Sequence, residues 1–103
     1  MSEKVWFITG ASRGFGRIWT EAALKRGDKV VATARNIATL APLADVYGNA
    51  VLTLSLDVND RSAVLSAVNR AQAHFGRLDV VVNNAGFGVA GAIEELSEQD
   101  ARA

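Results

Sequence analysis

The sequence predicts an α/β fold: a doubly wound, all-parallel sheet with helices on both faces. Three observations carry this. Short apolar runs alternate with longer segments of helical spacing, in the order β-α-β-α-β-α-β. The first run is continuously apolar, as strands are in sheets covered on both sides. A glycine-rich turn, Thr9-Gly10-Ala11-Ser12-Arg13-Gly14-Phe15-Gly16, joins that run to the first helix. Right-handed crossovers between parallel strands then give a three-layer α/β/α arrangement.

The elements follow in order. Lys4 to Thr9 reads as a buried strand ended by a Thr-Gly turn. Gly14 to Lys25 reads as a helix, with Phe15, Ile18 and Ala22 on one face and Arg17, Glu21 and Lys25 on another. Gly27 supplies its stop. Trp19 is expected to pack against a neighbouring element. Lys29 to Ala34 is the second strand. Ile37 to Tyr47 has helical spacing, but Pro42 lacks an N–H and crowds the preceding turn, so a late start or a kink is expected there. Gly48-Asn49 ends that helix, and Ala50 to Leu56 is the third strand. Either Asn59 or Asp60 can cap the next helix, Arg61 to Phe75, which turns Val64, Leu65, Val68 and Ala71 inward. Val80 to Asn83 is the fourth strand. Ser97-Glu98-Gln99-Asp100 looks like a further helix start.

Composition narrows the function. The chain has 103 residues, half of them apolar, which suits one small domain with a real core. Residues 1–103 are expected to form part of a single domain, with no internal repeat or linker. The net charge of zero argues against a nucleic-acid partner. With no cysteine and one histidine there is no basis for disulfides, thiol chemistry or a transition-metal site. Polar Ser2, Glu3 and Lys4 follow Met1 with no long apolar stretch after them. The expectation is a cytoplasmic protein without a signal peptide or membrane span.

The glycine turn is the main candidate site. Gly10, Gly14 and Gly16 let the backbone take positive φ and let a bulky anion come close. A helix starting near Gly14 aims its free N–H groups and the positive end of its dipole at that anion. The pyrophosphate of a dinucleotide fits this description. The turn is not a P-loop, because Phe15 stands where the second Gly would fall. Nor is it strict G-x-G-x-x-G, because Trp19 occupies the third Gly position. Read alone, it could be an ordinary β–α turn that binds nothing.

The ends of the later strands add to it. In dinucleotide-binding folds an acid about 20 residues beyond the glycines accepts from the ribose 2′-OH and marks NAD. Here that place holds Ala34, followed by Arg35. An arginine can grip a 2′-phosphate that an acid would repel. Arg13, inside the turn, adds a second positive charge. The cofactor implied is NADP(H) in preference to NAD(H); the alternative is that both arginines are solvated surface charges. Asp57, after the third strand, can accept from the adenine amino group or cap the next helix, with nothing in the spacing to choose. Asn83 and Asn84, closing the fourth strand, can tie neighbouring loops together and hydrogen-bond to a ribose.

Other features carry less. Gly86, Gly88 and Gly91 form a literal G-x-G-x-x-G after a strand, but with no acidic partner 20 residues on; a flexible loop is the better reading. His74 reads as a surface histidine near a helix end. Glu94 and Glu95 read as a solvated face.

Taken together, T-G-A-S-R-G-F-G, A-T-A-R, L-D-V and F-G-R-L-D-V-V-V-N-N-A-G resemble, in this order and spacing, the short-chain dehydrogenases/reductases. The resemblance covers nearly the whole chain and implies a Rossmann-type sheet. It also implies that Gly10, Ser12, Arg13, Gly14, Phe15 and Gly16 line the pyrophosphate and adenosine phosphate. Arg35 would mark the NADP-preferring kind, Asp57 and Val58 would flank adenine, and Asn84, Ala85 and Gly86 would border the cofactor ribose.

The catalytic half of the family pattern has no counterpart here. Members carry a Ser and a Tyr-x-x-x-Lys pair, in which Lys lowers the Tyr pKa and Tyr exchanges a proton with the substrate oxygen. The only tyrosine is Tyr47, and Val51 stands four residues on. No catalytic residue is therefore assigned. The expectation is the amino-terminal half of an oxidoreductase that interconverts carbonyls and secondary alcohols, with the rest of the site and the oligomer helices beyond Ala103. The alternatives are a non-catalytic dinucleotide-binding module or, more weakly, an epimerase-like relative. Strand order 3-2-1-4 would make the apolar fourth strand an edge, which invites association with another chain.

Overall fold

The computed structural model describes residues 3–12 and 14–84. Strands β1 (Val5–Ile8), β2 (Lys29–Ala34), β3 (Val51–Ser55) and β4 (Val80–Val82) form one parallel sheet in the order β3-β2-β1-β4. Trp6 pairs with Val30 on one side and Val80 on the other, and Ala34 pairs with Ser55. Among the described residues β4 pairs with β1 alone.

Helices α1 (Gly14–Lys25), α2 (Ala41–Tyr47) and α3 (Arg61–Phe75) connect the strands. Side-chain alternation along the strands sorts the core into two layers. Ile8, Val30, Ala32 and Ala34 pack with Ala23 and Leu24 of α1 and Leu43 of α2. Phe7 and Val31 face the other way, onto Val64, Ala67, Val68 and Ala71 of α3. β1 and β2 are thus buried on both faces, which explains their unbroken apolar runs.

Pro42 delays α2 as expected. Ile37–Leu40 forms a 3-10 turn, and the α-helix begins at Ala41 with Pro42 in its first turn, where no N–H is needed. Asn36 opens the segment, its side chain accepting from the Ala38 N–H at 3.1 Å. Of the two candidate caps for α3, Asp60 takes the position and accepts from the Ala63 N–H at 3.1 Å.

The inward face of α1 differs from the expected one. Gly16, Thr20, Ala23 and Leu24 are buried, whereas Phe15, Ile18 and Ala22 face outward. The reason is the closeness of the helix to the glycine turn, which leaves room only for small residues on the inner side of its first turns. Trp19 is 41% exposed and stacks on Phe15 of its own helix, with ring centroids 5.6 Å apart. The expected partner element is not seen among the described residues. No described helix is long and apolar enough to cross a membrane. The predicted helix start at Ser97 lies outside the described residues.

Candidate functional site

In a parallel sheet all strands end at the same edge. The turn after β1, Arg35 after β2, Asp57 after β3 and Asn84 after β4 therefore gather there. Several hydrogen bonds fasten the turn. The Ala11 N–H donates to the Thr33 carbonyl at 3.0 Å, and the Thr33 hydroxyl donates to the Ile8 carbonyl at 3.3 Å. Thr9 is fully buried; its N–H donates to the Val82 carbonyl at 3.1 Å and its hydroxyl accepts from the Asn84 N–H at 2.9 Å. Asn84 Nδ2 also donates to the Gly10 carbonyl at 3.3 Å.

The glycines divide the work. Gly10 and Gly14 take φ of 60° and 61°, a region that costs an L side chain about 1–2 kcal/mol. A Cβ on Gly14 would meet nothing within 4 Å, so the space there is open. Gly16 is needed for contact instead. A Cβ there would overlap the Gly10 carbonyl oxygen and lie 2.8 Å from Asn84 Nδ2. Thr20 holds the next turn of α1, its hydroxyl donating to the Gly16 carbonyl at 2.7 Å. Ser12 is half-buried and Phe15 is exposed beside the turn. Bare backbone, open space and the first-turn N–H groups of α1, which a helix leaves without partners of its own, suit an oxygen-rich anion.

At the far side of the site Arg35 Nη2 donates to Asp57 Oδ2 at 3.5 Å. Asp57 Oδ1 accepts from the Asn59 N–H at 2.9 Å, so Asp57 builds its own turn and leaves the helix cap to Asp60. The Asn59 amide first, and the Arg35 guanidinium after it, hold the Asp57 carboxyl below the usual carboxylate range. Val58 is half-buried and packs against the α3 side of the core. Arg13, Ala85 and Gly86 lie outside the described residues, as do Glu94 and Glu95. His74 is exposed, edge-on to Phe75 with centroids 4.6 Å apart and away from this edge of the sheet.

The sequence reading missed Thr9 as the buried link between β1, β4 and the turn. The available signal was a lone hydroxyl residue closing an apolar strand immediately before a glycine. It also missed Asp28 at the opposite end of the sheet. There a groove of about 780 Å³ is lined by Glu3, Arg26, Asp28, Lys29, Phe75 and Arg77 among others. Arg26, Lys29 and Arg77 each face an acid, Asp28, Glu3 and Asp79 respectively, and Lys4 also lines the groove.

The short chain dehydrogenase family profile matches residues 4–103. This chain belongs to the short-chain dehydrogenase family. It is 47% identical over 98 residues to the oxidoreductase BOA17 of Botryotinia fuckeliana, covering 94% of this chain and 36% of that one. A short-chain dehydrogenase of Streptomyces avermitilis superposes with a TM-score of 0.80 at 46% identity, over 82% of this chain and 31% of that one. The 3-ketoacyl-(acyl-carrier-protein) reductase of Brucella melitensis, solved with NADH, gives 0.75 at 39% identity, over 82% and 34% of the two chains. The chain thus spans about a third of the length of the relatives it matches. Membership, with the parallel sheet and strand order above, establishes the Rossmann fold of that family.

Proposed function

We propose that the full-length protein is an NADP(H)-dependent oxidoreductase that interconverts a carbonyl and a secondary alcohol, and that this segment carries its cofactor-binding part. The bound nicotinamide would supply the hydride. This chain's residues would bind and orient the dinucleotide: Gly10, Ser12, Gly14, Phe15 and Gly16 at the phosphates, Asp57 and Val58 at adenine, and Asn84 at the ribose. Arg13, Ala85 and Gly86 join them by resemblance. The proton-transfer residues, a Ser and a Tyr-x-x-x-Lys pair, would lie outside these residues. Association into a homo-oligomer belongs to the same reading, supported by the apolar side chains of β4.

The observation that carries the cofactor choice is Arg35, an exposed guanidinium directly after Ala34, which stands where NAD-binding members of this fold carry an acid. The Brucella relative was solved with NADH, so the family alone does not decide. The test is titration of the full-length protein with NADPH and NADH. NADPH is expected to bind at least about ten-fold more tightly, and Arg35→Asp to remove that preference. Equal affinities, or no penalty from the substitution, would overturn the phosphate-grip reading.

A further inference from the structure

We propose that Asp57 tempers the NADP preference by sharing the Arg35 guanidinium, which makes it a specificity-determining residue in addition to a contact for adenine. The inference rests on the reading of Arg35 above. β2 and β3 leave the sheet side by side: the Leu56 N–H donates to the Ala34 carbonyl at 2.9 Å and the Ser55 hydroxyl to the Arg35 carbonyl at 3.0 Å. These bonds fix the backbone beneath Arg35 while its side chain remains 77% exposed. Asp57 is held from the other direction. The Asn59 N–H occupies Oδ1, and Oδ2 is left for Arg35.

One guanidinium therefore has two prospective anions, the fixed carboxylate and the 2′-phosphate of NADP(H). The contact with Asp57 is single, 3.5 Å long and open to water. It is too weak to keep a doubly charged phosphate away, since water screens an exposed ion pair strongly. It still opposes that phosphate in two ways. It occupies one donor edge of the arginine, and it places a negative charge next to the incoming one. NADH has no 2′-phosphate and meets neither effect, so Asp57 narrows the gap between the two nucleotides.

The test is a binding cycle on the full-length protein, using nucleotide fluorescence with NADPH and NADH. Asn at 57 keeps an acceptor for the Asn59 N–H and removes the charge. The adenine contact is common to both nucleotides and cancels in the ratio of their dissociation constants. Asp57→Asn is expected to shift that ratio toward NADPH about two- to five-fold, and to shift it by a smaller factor once Arg35→Ala is present, where only the repulsion between carboxylate and phosphate is left to remove. A ratio that stays put or moves toward NADH in Asp57→Asn, while Arg35→Ala alone weakens NADPH selectively, overturns this inference and leaves the cofactor reading standing. A ratio indifferent to Arg35→Ala overturns both. Asp57→Ser, whose hydroxyl can also accept from the Asn59 N–H, repeats the measurement should the Asn variant fold poorly.

Discussion

Asn84 and Gly10 lie 74 residues apart in the chain, yet the Asn84 side-chain amide donates to the Gly10 carbonyl across 3.3 Å. The Asn84 backbone N–H donates to Thr9 Oγ1 in the same corner. The exit of β4 and the glycine turn after β1 are thus set as one piece. The shape of the turn depends on a strand made much later in the chain.

That dependence predicts the behaviour of Asn84→Ala. The substitution deletes the side-chain bond and spares the backbone one, so stability should fall by about 1 kcal/mol in chemical denaturation. If, as proposed, the turn holds the part of the dinucleotide that NADPH and NADH share, both should bind more weakly by a similar factor. A loss confined to NADPH would place Asn84 elsewhere in the site.

Gly14 and Gly16 should respond differently to the same change. Gly14→Ala meets no neighbour but must hold a positive φ, and should cost about 1–2 kcal/mol. Gly16→Ala drives a methyl group into the Gly10 carbonyl and should cost about 3 kcal/mol or more, with loss of nucleotide binding. Thermal unfolding of the two variants checks the order. Equal costs would mean that α1 does not lie against the turn as closely as described.

Asp28 predicts an acid limb in the stability curve. It is 8% exposed and accepts from Trp6 Nε1 at 2.9 Å, the Lys4 N–H at 3.1 Å and Arg26 Nη2 at 3.0 Å. The Trp6 indole, ahead of the Lys4 amide and Arg26, holds its carboxyl below the usual range against the opposing effect of burial. A depressed folded pKa contributes stability that is complete above the unfolded value of about 3.9 and is lost as pH falls through the folded one. Stability should therefore drop below about pH 4. Asp28→Asn should cost about 2 kcal/mol at neutral pH and make the drop shallower. Denaturation followed by tryptophan emission measures both. Asp79, lowered by the Val5 N–H and Arg77, keeps part of the slope.

Much of this was legible in the residues themselves. The strands of the sheet, the span of α1, the delay at Pro42 and the glycine turn all follow from local rules: apolar runs, helical spacing, a missing N–H and a missing Cβ. These act within a few residues, so a sequence displays them. The order β3-β2-β1-β4 is that of the dinucleotide-binding fold the sequence resembles; right-handed crossovers alone also permit other orders of parallel strands.

Contacts between distant residues had to come from the folded chain. Spacing along α1 shows that it has faces but not which face is buried. Packing decided that: Gly16 lies against the glycine turn and Ala23 and Leu24 against the sheet, which leaves Phe15 and Ile18 outside. Asp57 could have capped α3 or contacted a ligand, until Asp60 took the cap and Arg35 came within reach of Asp57. The amino-acid order determined the elements and the glycine turn between β1 and α1, because those need only near neighbours. Tertiary packing decided which side chains meet at the strand ends, because each of those meetings joins segments that only the closed sheet brings together.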